Sequence, residues 1–154
     1  MNKVKLPVAV IATFIWIGFV LAISFMESWL KFKAPGVTIP VGLGIGRLVF
    51  QMLNKVEWIL LLLVFVNFLM TKEKLFKLKN IFYFIPVLLV ALQSFWVLPV
   101  LDIRAQLHID GLPVPPSNLH YGFVLMEIVK IVCLFLFGFS LFTETEKETA
   151  QIEI

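Results

Sequence analysis

Two stretches without a single charge, one between Lys5 and Glu27 and one between Lys79 and Asp102, constrain this chain more than any other feature. Each is about the 20 residues that a helix needs to cross a hydrocarbon core of about 30 Å. Side chains that are apolar on every face of a helix of that length cannot all be covered inside a small water-soluble domain. The stretches therefore predict transmembrane helices. Composition agrees: of 154 residues 60% are hydrophobic and 15% charged, and the mean hydropathy is +0.99. Those values belong to membrane proteins rather than soluble domains.

Two further apolar segments, from about Gly44 to Thr71 and from about Ser117 to Thr143, are long enough to span but carry charges inside their length. The second holds Lys55 and Glu57, the fourth Glu127 and Lys130. The expected fold is all-α: one integral membrane domain over 1–154, a four-helix bundle with spans near 6–30, 44–71, 80–104 and 117–143 and a solvated tail over 144–154. The first span lacks a small-x-small cleavage pattern before Met26 and is read as retained rather than as a signal peptide. Basic residues beside the spans favour the cytoplasm. Lys3, Lys5 and the cluster Lys72, Lys74, Lys77 and Lys79 put both termini there, in a bacterial inner membrane or its equivalent, with the connections 31–46 and 102–118 outside. Lys31, Lys33, Arg47 and Arg104 oppose that count. A nucleic-acid partner is excluded because the basic residues flank apolar runs and form no patch with exposed aromatics. The single Cys133 permits no internal disulfide.

Proline and glycine concentrate in the outer connections. Gly42-x-Gly44-x-Gly46 lacks the Gly-Lys-Ser/Thr ending of a phosphate loop and the strand of a dinucleotide fold. Pro115-Pro116-Ser117 reads as a break followed by a helix start, with Ser117 or Asn118 as N-cap. Pro99 should kink or loosen the outer end of the third span.

At about 1.5 Å per residue, Glu57, Gln93, Glu127 and Lys130 lie roughly 20 to 24 Å from the inner ends of their helices. Gln51, Asn54, Glu27, His120, Asp102, Arg104 and Arg47 come higher, and the inner half has little besides Asn67. Arg47, Gln51, Asn54 and Trp58 share one stripe on span two, His120 and Glu127 one on span four, and Gln93 and Arg104 one on span three. Asp102 points away from that last stripe if the helix is regular. Charges at such depth cost several kcal/mol unless they are paired. The natural pairs are Glu57 with Lys130, or Glu127 with Lys55.

Three kinds of site fit this constellation. Glu57, His120, Glu127 and Glu27 are candidate ligands of a divalent metal ion entering from the outer side, although the Glu-x-x-His pairs of di-iron bundles are absent. Arg47, Gln51, Asn54, Gln93, Arg104 and Lys130 are candidate ligand-binding residues, and the buried carboxylates also suit an ion pathway, in a homo-oligomer if the chain transports. A membrane enzyme acting on a lipidic or glutathione-conjugated substrate is the second alternative. A structural subunit held by buried ion pairs is the third.

The stretch Phe25-Met-Glu-Ser-Trp-Leu-Lys-Phe-Lys-Ala-Pro-Gly-Val37, followed by Gly44-Ile-Gly-Arg-Leu-Val-Phe50, resembles the small four-helix membrane proteins related to transmembrane protein 205. The resemblance implies a four-span fold, no established reaction, and a loose association with metal-containing compounds. The spacing Arg47-x6-Asn54-x2-Glu57 is similar to the second helix of the membrane-associated glutathione and eicosanoid enzymes. That likeness implies glutathione binding in a trimer, but their later Arg and Tyr set is missing here and their site faces the cytoplasm.

Overall fold

The computed structural model describes residues 6–71 and 80–152, with side chains as far as Phe142 in the last helix. Four helices carry the chain: α1 (Pro7–Lys33), α2 (Ile39–Thr71), α3 (Ile81–Ile109) and α4 (Leu119–Ile152), the last apolar over Leu119–Phe142. Each is long and apolar enough to cross a bilayer, and no strand occurs among the described residues. The chain is thus a multi-pass membrane bundle. The basic cluster Lys72, Lys74, Lys77 and Lys79, with Lys3 and Lys5, lies outside the described residues, as do the side chains of 143–152 and all of 153–154.

Local chemistry sets the helix ends. Pro7 occupies the first turn of α1, where its missing N–H is no loss. Gly36, at φ 81°, makes the turn into α2. Gly111, at φ 69°, closes α3: Leu112 N–H returns to Leu107 O at 2.9 Å and Gly111 N–H to His108 O at 3.2 Å. Ser117 caps α4 as its sequence position suggested, its Oγ accepting from Leu119 N–H at 3.1 Å.

Two boundaries differ from expectation. The Gly42-x-Gly44-x-Gly46 stretch is not a loop, because α2 begins at Ile39. A Cβ on Gly42 would collide with the Phe32 ring, and one on Gly46 would sit 3.1 Å from Lys31 Nζ. Small residues one turn apart let the end of α1 lean onto α2, a packing device of membrane helices. At the other boundary, α3 continues past the expected end at 104 to Ile109, so Gln106 joins Asp102 and Arg104 on the helix.

The end of the bundle near Leu6, Thr71 and Asn80 is called the terminal end, and the end with the connections 34–38 and 110–118 the distal end. Toward the terminal end the core is dry and aromatic. Ala9, Ala12, Trp16 and Val20 form the buried stripe of α1, and Phe68, Tyr83 and Phe137 stack with centroids 5.4 to 6.4 Å apart. Asn67, the one polar group expected there, caps a neighbouring helix, since its Oδ1 accepts the otherwise orphan N–H of Ala9 at 3.0 Å. Leu62, Leu69, Met70, Phe95, Leu125 and Phe139 face outward, which in a bilayer is the lipid side.

Two π-helical turns interrupt the regular winding, Leu21–Glu27 in α1 and Gln93–Val97 in α3. The second precedes Pro99, whose ring removes a donor and crowds the carbonyl four residues back. A wider turn relieves that crowding and is the form that the expected loosening takes. Such turns occur often at functional sites. Both lie at the middle of the bundle.

Candidate functional site

A closed network of polar side chains occupies the middle of the bundle. Lys130 is 0% exposed, and Glu57, Gln93 and Glu127 are 1 to 2% exposed. The three N–H bonds of the Lys130 ammonium are all used: they donate to Glu57 Oε1 at 2.6 Å, Gln93 Oε1 at 2.6 Å and Glu127 Oε1 at 2.8 Å. Gln93 Nε2 donates to Glu127 Oε1 at 2.6 Å, Ser24 Oγ to Glu127 Oε2 at 3.0 Å, and Trp16 Nε1 to Glu57 Oε1 at 2.9 Å. Every helix contributes, and the two π turns supply Ser24 and Gln93. Of the two pairs read from sequence, Glu57 with Lys130 forms. Glu127 turns instead to the same lysine one turn along its own helix, and not to Lys55.

One turn nearer the distal end, Ser28, Asn54, Ser94 and Phe123 begin a cavity of about 720 Å³. Its walls are largely aromatic and aliphatic, with Trp29, Phe32, Phe50, Phe123, Leu98 and Leu101 among them. Arg47 and Asp102 face each other across it in a bidentate pair, Nε to Oδ1 at 2.6 Å and Nη2 to Oδ2 at 2.7 Å. Gln106 accepts from Arg47 Nη1, and Gln51 Nε2 donates to Asp102 Oδ1 at 3.2 Å. Ser94 Oγ accepts from Trp58 Nε1 and meets Asn54 Oδ1, both at 2.9 Å. Asn54 Nδ2 is buried without a partner. Lys31 lies between Glu27 Oε2, at 3.1 Å, and the rings of Phe32 and Phe50, 5.5 and 5.7 Å from its Nζ.

The predicted residues therefore separate into two tiers. Glu57, Gln93, Glu127 and Lys130 are in the buried network; Arg47, Gln51, Asn54 and His120 line the cavity. Arg104 belongs to neither, since it donates to Pro115 O in the distal connection. Glu27 belongs to Lys31, and its Oε1 is buried without a partner.

The proposed metal set is not assembled. Among the described residues no three His, Cys, Asp or Glu side chains come together where they could hold a metal ion. The physical reason is prior commitment. Glu57 and Glu127 are bridged by an ammonium, while His120 sits at the cavity wall beside Tyr121. Sequence reasoning missed Trp16, Ser24 and Ser94, uncharged residues whose only signal was a donor inside an apolar run.

The helices and the two-tier site define a class, a four-span membrane protein with a cavity in its distal half beside a buried charge network. Comparison with protein-family models, with curated proteins and with solved structures yields no match.

Proposed function

We propose that this protein binds a small, largely apolar molecule in the distal cavity, and that the network beneath holds the four helices around it. The observation that carries the reading is the cavity itself. About 720 Å³ of space, walled by aromatic rings and edged by a few convergent polar groups, has the size and lining of small-molecule sites. The network is the poorer candidate for a ligand, because Lys130 has no donor left to offer. Its fit to a structural role supports the reading of buried ion pairs as the bundle's clasp. With both termini cytoplasmic, the cavity opens on the outer side. The residues behind the resemblance to the transmembrane protein 205 relatives, Trp29, Lys31, Phe32, Gly46, Arg47 and Phe50, are cavity residues.

The test uses an uncharged probe. N-phenyl-1-naphthylamine is titrated into protein held in a neutral maltoside detergent, beside Ala105→Trp, which fills the cavity, and Tyr121→Ala, an exposed control. Saturable one-to-one binding that Ala105→Trp abolishes at unchanged melting temperature is the expected result. Equal fluorescence from all three proteins would overturn the reading.

A further inference from the structure

Of the charged side chains that line the cavity, Lys31, Arg47 and Lys55 are cations and Asp102 is an anion. Lys31 is matched by Glu27 and Arg47 by Asp102. Lys55 has neither a hydrogen bond nor an ion pair with any described residue. Its position makes that unusual. Lys55 stands halfway along α2 (Ile39–Thr71), about 24 Å from either end at 1.5 Å per residue. Measured from the Thr71 end, that depth lies in the outer half of a hydrocarbon core of about 30 Å, where a cation without a partner is costly. The cavity that Lys55 lines is a polar-edged space open to this ammonium.

Its neighbour Asn54 also lines the cavity, and the Nδ2 of that side chain is buried without a partner. An unmatched cation thus lies at the deep end of an aromatic-walled space, beside an amide whose Nδ2 is also unpaired. A lone cation there is costly unless something supplies an anion.

We infer that the cavity takes an anionic amphiphile, a hydrocarbon body carrying one carboxylate or phosphate, whose head is held by Lys55 and Asn54 and whose tail extends past Phe50 and Phe123 toward Trp29 and Phe32. The inference deepens the ligand-binding reading above and rests on it. The apolar walls argue against a free inorganic anion, which would gain nothing from four aromatic rings. The opposite polarity, a cationic head, would have to use Asp102, which already holds Arg47 and Gln51.

The experiment measures displacement of N-phenyl-1-naphthylamine by four amphiphiles with the same tail: decanoate, decyl phosphate, decanol and decyltrimethylammonium. Decanoate or decyl phosphate should compete at least about tenfold better than decanol, the factor expected of a charge-assisted hydrogen bond away from water. Preference for decanoate marks a fatty-acid-like head and preference for decyl phosphate a phospholipid-like one. Lys55→Ala should erase the advantage and Lys55→Arg should keep it, both with wild-type melting temperatures. Equal competition by decanol and the anions would overturn the inference while leaving a neutral-ligand cavity. Preference for decyltrimethylammonium would overturn it in favour of the acidic groups. Failure of every amphiphile, together with failure of the fluorophore itself, would remove both readings.

Discussion

Replacing Lys130 by methionine keeps the length of the side chain but removes the only cation among Glu57, Glu127 and Gln93. Formal charge in the network goes from one positive and two negative to two negative. Three hydrogen bonds of 2.6 to 2.8 Å disappear. In membrane proteins such bonds average about 0.6 kcal/mol each, so they account for about 2 kcal/mol. The two carboxylates left facing each other in a dry interior raise the cost to about 3 to 5 kcal/mol, the range for breaking a buried ion pair from one side. Glu57→Gln acts in the other direction, since it brings the formal charge to zero and keeps an oxygen for Trp16 and Lys130. Its cost should stay below about 1 kcal/mol. Both variants can be unfolded by sodium dodecyl sulfate added to neutral micelles and followed by circular dichroism. A Lys130→Met protein within about 1 kcal/mol of wild type, or a Glu57→Gln protein as unstable as Lys130→Met, would refute the view that the lysine neutralises the core.

Two further outcomes can be checked with the same preparations. Asp102→Asn releases Arg47 from a half-exposed bidentate pair, so stability should change by no more than about 1 kcal/mol while decanoate displacement improves several-fold. In Gly42→Ala the new methyl group must push the Phe32 ring aside; stopped-flow mixing should find faster release of the cavity fluorophore, and Gly44→Ala, with open space around it, should not differ from wild type.

The spans were legible because uncharged runs of membrane length admit few alternatives, and the observed helices lie close to the expected ones. The start of α2 was hidden because glycine signals a loop in water, yet Gly42 and Gly46 serve here as landing space for Phe32 and Lys31. Depth brought Glu57 level with Lys130 but also Glu127 with Lys55, and of these pairs the first forms. The role of Asp102 was not legible, and the π turn at Gln93–Val97 explains why. In a regular helix the nine residues from Gln93 to Asp102 turn about 180°, which aims them at opposite sides. Absorbing one extra residue in a wide turn brings them within about 80°, so Asp102 reaches Arg47 and Arg104 rotates away to Pro115. A stripe drawn at constant period cannot register such a slip. The metal set failed for a different reason: angular arithmetic says which faces meet but not which acid a lysine will claim first.

The network has a consequence for the order in which the protein is made. Synthesis runs from the N-terminus, and Glu57 precedes the lysine that neutralises it by 73 residues. Helix α4 enters the bilayer with its own counterion, since Glu127 lies three residues before Lys130. Helix α2 has no such provision on the face of Glu57, and the first partner to become available is the indole N–H of Trp16, already in place on α1. In an α1 and α2 hairpin formed first, the Trp16 indole would be the partner available to the Glu57 carboxylate until the last helix arrives. On this account Trp16→Phe should lower the yield of inserted protein more than it lowers the stability of protein already folded.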